Sequence, residues 1–284
     1  MTSVEQARSV ARTANLRSVV PGGGFDRAVS LNAAAVGVDI SPFVDLTMFD
    51  MTLAVFRPHP HAGFSAVTYM FEESPGSFRN RWTSGPDEVI GPGAIHWTRA
   101  GSGMMHEEVP TVSGVPCRGV QMFVKLHPDH ELDEPKAFHL DADEIDEVPL
   151  AGGGRVRVLA GRHAGVVSRL GVPDEVTLLD VHLAPDGAVE LNAEAAWNAF
   201  VLLRSGSIEV GGRELLANSA ATFHGDGDTV RLRSRTGAQL LFGTGRHAGP
   251  EVAAGSFILS TRERLADAQR RFAEGAMGDL EPSF

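Results

Sequence analysis

Two stretches decide how this chain is read: RPHPHAGFSAVTY at residues 57–69 and GSGMMHEEVP at residues 101–110. Side chains alternate faces along an extended strand, so residues i and i+2 point the same way. His59 and His61 therefore share a face, and His106 shares one with Glu108. The same alternation selects Glu108 over Glu107. If the two strands meet, three imidazoles and one carboxylate converge, a ligand set suited to a mid-row transition metal. Pro60 removes a backbone donor between the histidines and favours a strand end or edge. Gly63 permits a bulge or close approach beside them, and Gly101 and Gly103 allow a tight turn into MMHEEV.

Outward from these stretches, 32 glycines and 16 prolines punctuate short apolar runs, the pattern of many short strands joined by turns. Val67, Tyr69 and Phe71 alternate with Ala66, Thr68 and Met70, and Val120, Met122 and Val124 alternate with Gln121, Phe123 and Lys125. VTLLDVHLAP, AFVLLRSGSIEV, TVRLRS and AQLLFGTG read as further strands, so residues ~30 to ~245 are expected to be mostly β. A weak internal repeat of strand, glycine turn and strand suggests two barrel or sandwich halves. The acidic, then glycine-rich stretch DADEIDEVPLAGGGRV, near residues 141–155, is the expected seam. At the C-terminus Ser260-x-x-Glu263 forms a capping box. It opens a helix with an apolar stripe of Leu265, Ala268 and Phe272. A weaker pattern near residues 3–13 suits a short helix or an arm.

Composition narrows the function classes. With 43% hydrophobic and 21% charged residues, the chain can build a core and is not of disordered type. Its net charge of −11, without a dense Lys/Arg run, disfavours direct nucleic-acid or anionic-membrane binding. No run of 18 apolar residues predicts a membrane helix, no signal-peptide pattern is evident, and a cytoplasmic protein is expected. Cys117 is the one cysteine, and its place before GVQMFVKL predicts a small core residue.

Three histidines and a glutamate leave two positions open on a six-coordinate ion, for water, O₂ or a chelating substrate. A closed structural zinc site would favour cysteines, so Fe(II), Mn, Ni or Co suit the set better. Phe56, Phe64, Met70, Trp97 and Met105 are candidates for an apolar wall. Among the other histidines, His224 in TFHGDGDT lacks an H-x-H partner and reads as structural or exposed, so the second half is expected to hold no metal.

The ordered set PFVDL (42–46), PHPHAGFSAVTY (58–69), GPGAIHWTRAGSGMMHEE (91–108) and RGVQMFVKL (118–126) resembles the pirin family, and GSFILSTRERLADA (255–268) continues the likeness weakly. The resemblance implies an all-β fold of two cupin barrels (double-stranded β-helix or jelly-roll) with a C-terminal α-helix. The first barrel, residues 1–140, would hold the metal; the second, residues 141–284, would be metal-free and end in the helix. The family's H-x-H plus H-x-E pattern falls on His59, His61, His106 and Glu108. One divalent transition metal is implied, Fe(II) foremost, with Mn, Ni, Co, Cu or Zn as alternatives.

Some members are similar in activity to quercetin 2,3-dioxygenases, which implies a small aromatic, flavonol-like substrate and Glu108 as the catalytic acceptor of its hydroxyl proton. The alternative is a redox-sensing regulatory protein that binds a protein partner without catalysis; a cupin isomerase is more distant. A monomer is expected. Ala62 stands where the family often has Arg, and the turn before the second pair reads GSG rather than GRG. Both departures remove cations from the pocket mouth.

Overall fold

A computed structural model describes residues 6–172 and 175–284. The glycine- and proline-punctuated runs form strands, and among the described residues the only α-helices are one turn at Ala33–Val36 and the C-terminal Arg262–Ala273. No helix among them is long and apolar enough to cross a membrane. The strand expectation is met, as is the helix at the C-terminus.

The chain divides into two compact units that are not contiguous in sequence. One gathers the residues up to Ser18, Ser30–Pro42 and Asp143–His247; the other gathers Val19–Val29, Phe43–Ala142 and Ala248–Phe284. The crossing at 142/143 lies beside the expected seam, but a split into 1–140 and 141–284 misplaces both chain ends. Two contacts explain why. Val10–Asn15 is a strand rather than a helix and pairs antiparallel with Ser219–Phe223, drawing the N-terminal arm into the later unit. The C-terminal helix instead packs on Ala62, Phe257 and Leu259 in the histidine-bearing unit. Residues 3–5 of the pattern at 3–13 lie outside the described residues.

In the histidine-bearing unit the strands are labelled β1 (Phe43–Met51), β2 (His59–His61), β3 (Phe64–Met70), β4 (Phe78–Trp82), β5 (Glu88–Ile90), β6 (Ile95–Arg99), β7 (Met104–Pro110), β8 (Cys117–Lys125) and β9 (Lys136–Leu140). One sheet contains the order β9-β6-β3-β8-β1; a second has the order β2-β7-β4-β5. Strand β2 is thus an edge, the position Pro60 requires. Gly63 has φ +81°, and a Cβ there would stand 2.1 Å from the Ile258 carbonyl oxygen. Only glycine lets the segment after β2 lie this close to Phe257–Leu259.

The helix begins one residue later than its capping box suggests. Thr261, with extended backbone, accepts from the Arg264 N–H and is the N-cap. The Ser260 hydroxyl donates instead to Glu131, 2.8 Å away. Leu265 and Ala268 are buried, whereas Phe272 remains 43% exposed, its ring tilted against that of Phe257 with centroids 6.1 Å apart. Arg264 donates to Glu131 at 2.7 Å, and Lys125 donates to the other oxygen of the same carboxylate. Both Lys125 and Glu131 are fully buried, so this network ties β8, the loop after it and the helix start together.

The second unit has a different interior. Val158, Leu179, Val181, Val201, Leu203 and Phe242 belong to one apolar cluster built from alternate strand positions. His224 is exposed.

Candidate metal centre

The ladder between β2 and β7 opposes His59 to His106 and His61 to Met104. Directly opposed residues share a face, so His59, His61 and His106 all project to one side. Their ring centroids form a near-equilateral triangle of 4.7, 4.6 and 4.5 Å. The nearest ring nitrogens, one from each, lie within 4.8 Å of one another. His61 and His106 are buried and His59 is half-buried.

Each ring is oriented by an oxygen on its far side. The Nδ1–H of His59 donates to the Arg57 carbonyl at 2.8 Å, that of His61 to the Ser256 carbonyl at 3.4 Å, and that of His106 to Asn80 Oδ1 at 3.3 Å. Burial, reinforced by the neighbouring imidazoles, lowers the His61 pKa to about 3 and that of His106 well below its usual value; burial also lowers His59. All three are therefore neutral near pH 7. A neutral imidazole has one N–H, and here it is committed at Nδ1, which leaves three Nε2 lone pairs facing inward.

The Nε2 atoms of His59 and His106 are 3.1 Å apart, and His61 Nε2 is buried with no hydrogen-bond partner. Two unprotonated nitrogens at that distance repel unless a cation lies between them. Nitrogens bound side by side to one ion at about 2.1 Å are themselves about 3 Å apart. The donor set therefore fits a transition metal, and oxygen acceptors behind the rings are the usual outer shell of such a site.

Glu108 lies on the same strand face, opposite Asn80 in the β7–β4 register, and is buried. Its Oε2 accepts from the Thr68 hydroxyl at 2.7 Å and from the Gln121 amide at 3.0 Å. Burial raises its pKa to about 7 against the pull of those two donors. Its carboxylate is not within the close nitrogen group, although it lines the same cavity as His59 and His61. Glu107 points the other way, as alternation requires. It accepts from Arg81 at 2.9 Å and from the Ser283 backbone N–H at 3.1 Å.

The cavity has a volume of about 650 Å³. Phe25, Phe49, Phe56, Phe78 and Phe123 line it together with Asp45, Thr47, Arg57, Gln121 and Ser256. Of the five residues expected to form an apolar wall, only Phe56 does so. Phe64, Met70 and Trp97 are core residues, and Met105 packs toward the C-terminal helix. The actual wall is drawn from strands distant in sequence. One local signal pointed to it: Phe123 is two residues from Gln121, a polar residue in an apolar run.

Sequence reasoning also passed over a polar row across the larger sheet. Thr47 opposes Gln121, Gln121 opposes Thr68, Thr68 opposes His96, and His96 opposes His139. These residues share the inner face and supply the donors that hold Glu108. Arg57 restores a cation to the cavity lining from a position upstream of the substituted family sites.

A pirin family model matches residues 37–124, and a model of the pirin C-terminal cupin domain matches residues 178–278. A pirin-like protein of Caulobacter vibrioides is 34% identical over 242 residues, covering 82% of this chain and 86% of that protein. A Pseudomonas aeruginosa protein, described by inference only as a quercetin 2,3-dioxygenase, is 30% identical over 250 residues, covering 83% and 86%. The crystal structure of a quercetin 2,3-dioxygenase from Acinetobacter baumannii shares the fold, with a TM-score of 0.87 at 22% identity over 97% of this chain and 100% of that one.

Proposed function

The chain belongs to the pirin family, and from that premise we propose that it is a metal-dependent dioxygenase of the quercetin 2,3-dioxygenase type. In this reading His59, His61 and His106 hold one divalent transition metal through Nε2, and Glu108 is the fourth ligand. The observation that carries it is the convergence of three inward lone pairs beside a cavity walled by phenyl rings.

A divalent metal held there supplies Lewis acidity and, if redox-active, electron transfer. The protein does the rest. The rings of Phe49, Phe78 and Phe123 stack a planar phenolic substrate and keep water from it. Arg57 faces an ionised oxygen of that substrate. Thr68 and Gln121 hold Oε2 of Glu108, so its other oxygen is the one free to serve the site: it would be the metal ligand before substrate binds and would accept the flavonol hydroxyl proton when the substrate oxygen takes its place.

The test is to load metal-free protein anaerobically with Fe(II), Mn(II), Co(II), Ni(II) or Cu(II), then add quercetin and O₂. Loss of the flavonol absorbance and a ring-opened product in mass spectra are expected with at least one metal. Absence of that product with every metal overturns the activity. Glu108→Gln is expected to lower kcat by about 10²- to 10⁴-fold, the usual weight of a positioned proton acceptor.

A further inference from the structure

A hydrogen-bond chain runs from the rear of His106 to the surface. His106 Nδ1–H donates to Asn80 Oδ1 at 3.3 Å, and Asn80 Nδ2–H donates to His96 Nε2 at 2.9 Å. His96 Nδ1–H then donates to His139 Nδ1 at 3.3 Å, and His139 Nε2–H donates to Asp141 Oδ1 at 3.4 Å. Asn80 and His96 are entirely buried, His139 is mostly buried, and the Asp141 side chain is 67% exposed. The chain passes between sheets at Asn80, which sits on β4 and reaches His96 on β6. It then crosses β6 to β9 through the opposed pair His96 and His139.

Every link has one direction. Burial keeps His96 neutral, so it has one N–H. Asp141 can only accept, so His139 donates to it from Nε2 and offers Nδ1 as an acceptor; the His96 N–H is therefore at Nδ1, and its Nε2 accepts from Asn80. The Asn80 amide is the switch. Turned over, it would donate to His106 Nδ1 and force the proton onto Nε2, which would remove the inward lone pair. The amide orientation in the structure is the one that leaves His106 able to bind metal, and the Asp141 carboxylate, which can only accept, sets it through His139 and His96.

We propose that Asn80, His96 and His139 are positioning residues that lock His106 in its metal-binding tautomer and connect it to the surface carboxylate of Asp141. The proposal rests on the metal reading of the three histidines. It assigns work to residues outside the H-x-H and H-x-E pattern and predicts that metal affinity responds to side chains that never touch the metal.

Zn(II) affinity of the full chain is measured by competition with a chromogenic chelator. Asn80→Ala is expected to weaken it by about 10- to 100-fold, and His96→Phe by roughly 3- to 10-fold. Asn80→Asp keeps an acceptor for His106 but cannot donate to His96. It should recover most of the affinity lost in Asn80→Ala and turn His96 to its Nε2–H form. A purely structural role would lower the melting temperature of the metal-free variants and leave Zn(II) affinity alone.

Ring ¹⁵N spectra of the wild-type, Zn(II)-loaded protein need no variant. They should show His96 protonated at Nδ1 and His139 at Nε2; the reverse at His96 overturns the proposal. Wild-type affinity in both Asn80→Ala and His96→Phe, with His106→Ala still crippled, overturns the relay alone. Unchanged affinity in His106→Ala overturns the metal reading and the relay with it.

Discussion

At the scale of single residues, the site crowds together nitrogen atoms that repel one another. His61 Nε2 is buried without a partner, and His59 and His106 bring two more ring nitrogens to the same place. An unsatisfied buried polar atom costs about 1–3 kcal/mol, and a bound cation removes that cost. Metal should therefore stabilise the protein strongly: at 100 times its Kd, about 2.7 kcal/mol is expected from mass action alone. Thermal scans should show a rise in Tm on adding Zn(II) or Ni(II), reversed by a chelator and absent in His106→Ala. Cys117 is a second legible residue. It is fully buried, and burial, helped by Asp50, pushes its thiol pKa up to about 11. The thiolate is the reactive form, so at pH 8 about one molecule in a thousand carries it. Iodoacetamide should leave the native protein unlabelled at pH 8 and label it fully in denaturant.

At the scale of elements, the short edge strand β2 works because Pro60 needs no ladder partner for its nitrogen and Gly63 admits Phe257–Leu259 at close range. Both were readable, since proline and glycine announce their backbone constraints locally. The helix start was read one residue early for an equally physical reason. Ser260 and Thr261 both can cap, and a tertiary partner, Glu131, takes the Ser260 hydroxyl. Thr261→Ala should then cost about 1 kcal/mol in urea unfolding.

Glu131→Ala should cost more, about 3–5 kcal/mol, because it strands the buried Lys125 ammonium and the Arg264 guanidinium. Burial pushes the Glu131 carboxyl up, but donation from Lys125, Arg264 and Ser260 outweighs it and holds the pKa below the usual value. A depressed folded-state pKa stabilises the native protein above the unfolded-state value, and that stability drains as pH falls through the folded value. Unfolding free energy should drop between pH 7 and acid pH, and the drop should be smaller in Glu131→Gln.

At the scale of the whole molecule, the two units exchange chain ends. The histidine-bearing unit needs the last 37 residues, Ala248–Phe284. Ser256 orients His61, the helix buries Ala62, and the Ser283 backbone N–H caps the buried carboxylate of Glu107. Truncation after His247 should therefore reduce Zn(II) binding and expose β7 to proteolysis while leaving strands 176–245 protected. Removal of residues 1–15 should act on the other unit, because Ser219–Phe223 would become an open edge prone to pairing with other chains. Light scattering on that variant should show more association than the full chain shows at the same concentration.

What the sequence determined by itself is whatever repeats over two or three residues. Strand alternation placed His59 with His61 and His106 with Glu108, and turn residues marked an all-β chain. The tertiary structure alone decided which distant strands lie side by side. Register across five strands aligned Thr47, Gln121, Thr68, His96 and His139. Sheet packing then set Asn80 between His106 and His96. No local period encodes such neighbours, because strand pairing joins residues tens of positions apart through backbone hydrogen bonds that every residue type can make.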